Sequence, residues 1–197
     1  MSIRARLSHE ESRDLALQAA RDLLIEDGPQ AVTLKAVAKR VGRTHSNLLH
    51  HFGSASGLQR ALAEYLARRV CAAIAVSLAK RKEGTGSARE IVDLAFDAFG
   101  REGGGALASW MLATGNEDAL DTVFRAIHDL VDTSEETLES PAMARDRTLA
   151  LVLMALGDAL MGDALSRTLG LPPGRSRHIA ESMLIGDPAE AGTSTGD

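Results

Sequence analysis

The sequence predicts an all-α protein of about nine helices, built as an N-terminal three-helix unit and a C-terminal helical domain. Three observations lead there. Apolar residues recur at three- and four-residue spacing along most of the chain. Ser, Thr or Asn stands ahead of these runs, and Gly or Pro behind them. No stretch keeps the strict apolar–polar alternation of a half-buried strand.

Taken in order, Ser8 to Glu11 is an S-x-x-E capping box that opens the first helix. Leu15, Ala19, Leu23 and Leu24 form its apolar face, and Gly28-Pro29 stops it. Thr33 caps the second helix, on which Leu34, Val37, Ala38 and Val41 share a face. Gly42 is placed to take the left-handed conformation that ends a helix. Thr44 caps the third, Leu48 and Phe52 point the same way four residues apart, and Gly53 closes it. Two short helices joined by a tight turn make a helix-turn-helix, whose second helix enters the DNA major groove. On that helix His45, Ser46, Leu49 and His50 fall away from Leu48 and Phe52, with side chains short enough to reach base edges or phosphates. Leu49 fits either contact with a thymine methyl or packing against a neighbouring helix.

Ser54 caps a fourth helix reaching to about Arg81, with Leu58, Leu62, Tyr65 and Leu66 on its buried side. Its N-terminus offers free N–H groups to a phosphate. Lys80, Arg81 and Lys82 complement the negative end of its dipole. Glu83 to Gly86 breaks the helix. The expected division is residues 1–53 as the helix-turn-helix domain with the connecting helix 54–82, residues 83–186 as a helical body, which the resemblance given below makes a ligand-binding and dimerisation domain, and residues 187–197 as a disordered polar tail.

In the body, Ser87 to Glu90 reads as a second capping box, followed by Ile91, Leu94, Ala95, Ala98 and Phe99. A short apolar helix runs from Ala106 to Ala113. Gly115 ends it and Asn116 caps the next, whose stripe is Leu120, Val123, Phe124, Ile127 and Val131. Ser140-Pro141 is a helix-start signal. Between Leu149 and Leu165, Leu149, Leu153, Leu156 and Leu160 form one seam, and Leu151, Met154, Met161 and Leu165 another. A helix apolar on two sides must be buried on two sides. A last helix carries Ile179, Met183 and Leu184.

The net charge is −5, but its distribution is uneven. Residues 1–82 hold 14 Lys and Arg against 7 Asp and Glu, and the remainder holds 8 against 20. A basic head on an acidic body is the footprint of a protein that meets DNA with one part only. Arg4 and Arg6 are candidates for an arm reaching into a minor groove, or for a frayed terminus. No apolar run long enough to cross a bilayer is expected, the N-terminus has no signal-peptide pattern, and the cytoplasm is the default location.

VGRTHSNLLHHFGSASGL, preceded by TLKAVAKR and followed by a long helix, resembles the DNA-binding domain of TetR-type transcriptional regulators, over about Leu15 to Val70. By position, the resemblance implies base contacts from His45, Ser46 and Leu49. It implies backbone contacts from Thr33, Thr44, Asn47, His50 and His51, with Arg43 and Ser54 completing the DNA-binding set. Leu49 stands where many family members have Tyr, and Ala55 where they have Lys.

The resemblance further implies a homodimer on a palindromic operator and release by a small-molecule effector. The last two helices would pair across a two-fold axis through Leu149, Leu153, Leu156, Leu160, Ile179 and Met183. Two recognition helices then lie about 34–36 Å apart on successive major grooves. Candidate effector-lining residues are Phe96, Phe99, Trp110, Met111, Phe124, Met154 and Met161, with His128 and Asp158 as polar groups. Asp158 interrupts an apolar helix and needs a partner, either a basic side chain in the dimer or a ligand.

An enzyme is not expected: no H-E-x-x-H, G-x-S-x-G or paired metal-ligand spacing occurs, and no cofactor or metal is assigned. His50 and His51 are adjacent and diverge on a helix. Cys71 lies among small apolar residues and reads as packing. The rival reading is an all-helical interaction module without DNA, and activation is an alternative to repression.

Overall fold

The first helix begins where Ser8 and Glu11 satisfy each other. The Glu11 N–H donates to the Ser8 hydroxyl at 3.1 Å and the Ser8 N–H to the Glu11 carboxylate at 2.7 Å. The protein is described from a computed structural model, over residues 8–135 and 141–185. The Arg4 and Arg6 arm, Ser140 and the tail 187–197 lie outside the described residues. Among those described, all regular structure is helical: α1 (His9–Asp27), α2 (Leu34–Val41), α3 (His45–Phe52), α4 (Ala55–Lys82), α5 (Ala88–Phe99), α6 (Gly104–Ala113), α7 (Asp121–Glu135), α8 (Pro141–Gly157), α9 (Asp163–Thr168) and α10 (Arg175–Ile185). Short 3₁₀ turns occupy Pro29–Ala31 and Glu117–Leu120, and a π-turn occupies Asp158–Gly162.

The chain forms two units. The first runs through Arg69 and takes in Arg101–Ala126; the second is Val70–Gly100 with the chain from Ile127 onward. Glu83 therefore ends α4 without dividing the units, and α6 with the start of α7 belongs to the first. The reason is packing. Leu107 and Met111 of α6 and Ala119 are buried in the same core as Leu17, Val37, Leu48, Leu58 and Leu62. An ion pair seals the edge of that core, with Arg21 donating to both Glu102 carboxylate oxygens at 2.6 and 2.7 Å. On α1 the buried line is Ala16, Leu17, Ala20 and Leu24; Leu15, expected on it, lies at its edge and is exposed.

In the second unit, Ile91, Val92 and Phe96 of α5 pack with Leu151 and Ala155 of α8 and Ala180 and Leu184 of α10. Arg177 ties α10 to α5. It donates to Asp93 at 2.7 Å and Asp97 at 2.6 Å, and its guanidinium lies 5.2 Å over the Phe96 ring. Burial pushes the Asp93 carboxyl upward, but hydrogen bonds from Arg89 and Arg177 outweigh it and hold the group below its usual value. At the start of α5 the Ser87 hydroxyl accepts the Glu90 N–H at 3.2 Å. The Glu90 carboxylate, expected to reach back to Ser87, lies instead 3.6 Å from Lys80.

α8, the π-turn and α9 follow one another with helical backbone angles at Gly157, Gly162 and Asp163. Contrary to expectation, the helix over Ala142–Thr168 is long and apolar enough to cross a membrane, by length and composition. Asp158 and Asp163 fall within that span, where hydrocarbon penalises charge. The seam of Leu151, Met154, Met161 and Leu165 changes face along its length. Leu151 is buried and Met154 packs on the core, whereas Met161 and Leu165 are exposed. The π-turn explains the change of face: one extra residue rotates the next turns of helix by roughly 100°.

Because the hydrogen bonds from Arg21 hold the Glu102 carboxyl below its ordinary value, the contribution is present above about pH 4.3 and fades as pH falls through the lower folded value. Glu102→Gln should therefore lower the thermal midpoint at about pH 7, and its deficit against wild type should close below about pH 4. Thermal circular dichroism across that range is the measurement.

Candidate nucleic-acid interface

The geometry of α3 begins with α2. The Thr33 hydroxyl accepts the Ala36 N–H at 3.1 Å, and Leu34, Val37 and Ala38 are buried. Gly42 then sits at φ 65°, ψ 36°, the left-handed conformation a non-glycine residue resists. Its N–H and that of Arg43 close the helix on the Lys39 and Ala38 carbonyls. Two residues later the Thr44 hydroxyl accepts the Asn47 N–H at 3.2 Å and α3 starts. Leu48 and Phe52 are buried, so the rotation of α3 about its axis is fixed.

His45, Ser46, Leu49 and His50 are exposed on the remaining face. Leu49 is 42% exposed, so it is not packing material for a neighbouring helix of its own chain. That leaves an apolar side chain on a polar face, suited to a thymine methyl. Arg43, Thr44 and Ser54 are exposed beside it. Thr33, Thr44 and Ser54 each have a capping role first: the Ser54 hydroxyl accepts the Gly57 N–H at 2.9 Å and starts α4. Gly57 permits the sharp entry, since a Cβ there would lie 2.1 Å from the Phe52 carbonyl oxygen. Asn47 and His51 are half-buried, and the Asn47 Oδ1 and His51 Nδ1 atoms are buried without a hydrogen-bond partner.

Two residues of α1 that the sequence did not single out meet α3. The His9 ring lies 4.2 Å from that of His51 and 5.9 Å from that of His50, centroid to centroid. The Arg13 guanidinium lies 5.5 Å over the Phe52 ring. The i, i+4 spacing of His9 and Arg13 was the available signal, since it puts both on one face of the first helix. Burial, then the neighbouring His9, His50, Arg13 and Arg43, hold the His51 imidazole below its usual value. Among the described residues no cluster of three or more His, Cys, Asp or Glu is arranged to hold a metal ion.

The expected effector-lining residues are not all brought together. Trp110, Met111 and Phe124 fall in the first unit, with Met111 wholly inside its core and Phe124 57% exposed. Phe96, Phe99, Met154 and Asp158 fall in the second unit, along with His128 and Met161, which are exposed. Phe96 is covered, and His128 lies 3.3 Å from Asp132 on its own helix. Asp158 accepts a hydrogen bond from the Ser176 hydroxyl at 2.5 Å, a partner neither basic nor intermolecular. Cys71 is half-buried, and burial raises its thiol above the usual value, which suits packing. Of the expected dimer residues, Leu149, Leu153, Leu160 and Ile179 are exposed, with Leu149 at 61%, while Leu156 and Met183 are partly covered.

Residues 16–62 match the family model of bacterial regulatory proteins of the tetR family. The fold is similar to that of the multidrug binding protein EbrR, solved with imidazole, at 16% identity and a TM-score of 0.62, covering 88% of this chain and 94% of that one. It is also similar to a TetR transcriptional regulator from Legionella pneumophila, at 20% identity and a TM-score of 0.55, covering 89% and 97%. No curated protein sequence matches the chain.

A Cβ at Gly42 would meet no atom within 4 Å, so substitution there costs backbone strain alone. Gly42→Ala should destabilise by about 1–2 kcal/mol, and Gly42→Asn by less, because Asn visits the left-handed region more readily. Chemical denaturation of the three proteins measures the order.

Proposed function

We propose that this chain, which through residues 16–62 belongs to the tetR family of bacterial regulatory proteins, acts as a homodimeric repressor on a palindromic operator and is released by a small apolar effector. The observation that carries the DNA-binding part is the orientation of α3. Its apolar residues Leu48 and Phe52 are buried, and it turns His45, Ser46, Leu49 and His50 outward beside exposed Arg43. His45, Ser46 and Leu49 read bases in this scheme. Thr33, Arg43, Thr44, Asn47, His50, His51 and Ser54 hold the phosphate backbone, where contacts set position and not sequence.

The homodimer is supported by the uncovered apolar residues Leu149 and Leu153 of α8 and Leu160 of the π-turn, with Ile179 on α10. So many large apolar side chains exposed on neighbouring turns mark a surface that a partner covers. The effector is supported by the multidrug-binding character of the fold neighbour EbrR. Of the second unit's candidates, Phe99, Met154 and Asp158 are the partly covered ones, and they are the residues assigned to it. Such a ligand must prefer the DNA-incompetent state, since equal affinity for both states shifts nothing. α4 and α7 each begin in the first unit and end in the second.

Selection of bound sequences from a random duplex pool should return a palindrome whose half-sites are about one helical turn apart. His45→Ala should relax preference at particular base pairs, while His50→Ala should weaken binding to all sequences alike. A pool returning no enriched sequence, with no binding to random duplex at low salt, would favour an interaction module without DNA. Leu153→Glu combined with Leu160→Glu should convert the sedimenting species to the 20.8 kDa monomer.

A further inference from the structure

We propose that His9, His50 and His51 form a proton-linked phosphate contact, so that binding to the DNA backbone takes up protons and affinity rises as pH falls. This rests on the DNA-binding reading above and adds to it a residue of α1 and a regulatory input. Three imidazoles from two helices meet here, with ring centroids 4.2, 5.9 and 6.1 Å apart. Histidine is the side chain whose charge changes near neutral pH.

The charged groups acting on His51 are of one sign. The groups acting on the His51 ring are His9 and Arg13 from α1, His50 on α3 and Arg43 from the preceding turn. The nearby acid of α1, Glu11, is turned to the Ser8 N–H and closes the helix cap. Burial, then the neighbouring His9, His50, Arg13 and Arg43, hold the His51 imidazole below its ordinary value in the free protein, and its Nδ1 is buried and unpartnered. A phosphodiester drawn to the exposed His50 and Arg43 supplies the negative charge the cluster lacks. The imidazolium forms then gain a counter-ion and a hydrogen-bond acceptor, and lose the mutual repulsion that opposed a second proton. Linkage requires the reciprocal effect: if phosphate raises proton affinity, protons raise phosphate affinity.

Fluorescence anisotropy of the full chain on a random-sequence duplex, at fixed low ionic strength, tests the linkage. One linked proton should tighten binding by about tenfold between about pH 8 and about pH 6. His9→Gln, at an exposed position, should remove most of that rise while still binding at about pH 8, and His50→Gln should weaken binding at every pH and lose most of the rise as well. His45→Gln, outside the cluster, should keep it. In parallel, imidazole proton resonances should show the His51 midpoint moving up when duplex is added. A wild-type affinity flat with pH, a rise undiminished in His9→Gln, a rise abolished by His45→Gln, or an unmoved His51 midpoint would each overturn the linkage while leaving DNA binding standing. Absence of duplex binding at every pH would overturn the regulator reading and this one with it.

Discussion

Burial of Leu48 and Phe52 is the constraint on which the interface depends. The two lie one helical turn apart, and each contributes about 1.5–3 kcal/mol by leaving water. Their second effect is geometric. With both side chains held in the core beside Val37 and Leu58, α3 has one rotational setting, and His45, Ser46, Leu49 and His50 have one direction in which to point. The direction of this exposed face is thereby settled by packing within the chain. The tight turn at Gly42 and the caps at Thr33 and Thr44 fix where each helix begins and ends, and the core fixes how the second is turned.

Features set by neighbouring residues were legible in the sequence. Thr33, Thr44 and Ser54 cap as their position before apolar periodicity implies, and Gly42 adopts the left-handed geometry expected of it. Features set by distant residues were not. Periodicity shows that a helix has an apolar side but places its centre only loosely, so Leu15 and Phe124 read as core and are exposed. The division of the chain depends on where Leu107 and Met111 of α6 find their partners, and no local pattern records that. The π-turn at Asp158–Gly162 defeated a seam drawn at constant pitch, because the seam assumed 3.6 residues per turn throughout. His9 was missed for a similar reason: its importance lies in what α3 brings to it.

The two units are stiffened by different means. In the first, aliphatic packing is closed by the bidentate contact between Arg21 and Glu102. In the second, Arg177 answers two carboxylates and an aromatic face at once. A guanidinium suits that place because its planar donors reach both Asp93 and Asp97 while its face stays free for Phe96, a combination a lysine ammonium does not offer. Along the α8–α9 helix, by contrast, Leu149, Leu153, Leu160, Met161 and Leu165 are left exposed by their own chain, and the energetic incentive there is for contact with another surface.

The place of α6 within the first unit bears on how the chain comes into being. A polypeptide emerging from the ribosome presents α1 to α3 early, yet the cavity they leave for Leu107 and Met111 stays open until roughly a third more of the chain has been made. The recognition helix is thus complete in sequence well before it is complete in support. A nascent chain that stalled after α4 would carry α3 on a core still missing Leu107 and Met111, so a motif of twenty residues draws on a far longer stretch of chain for its support.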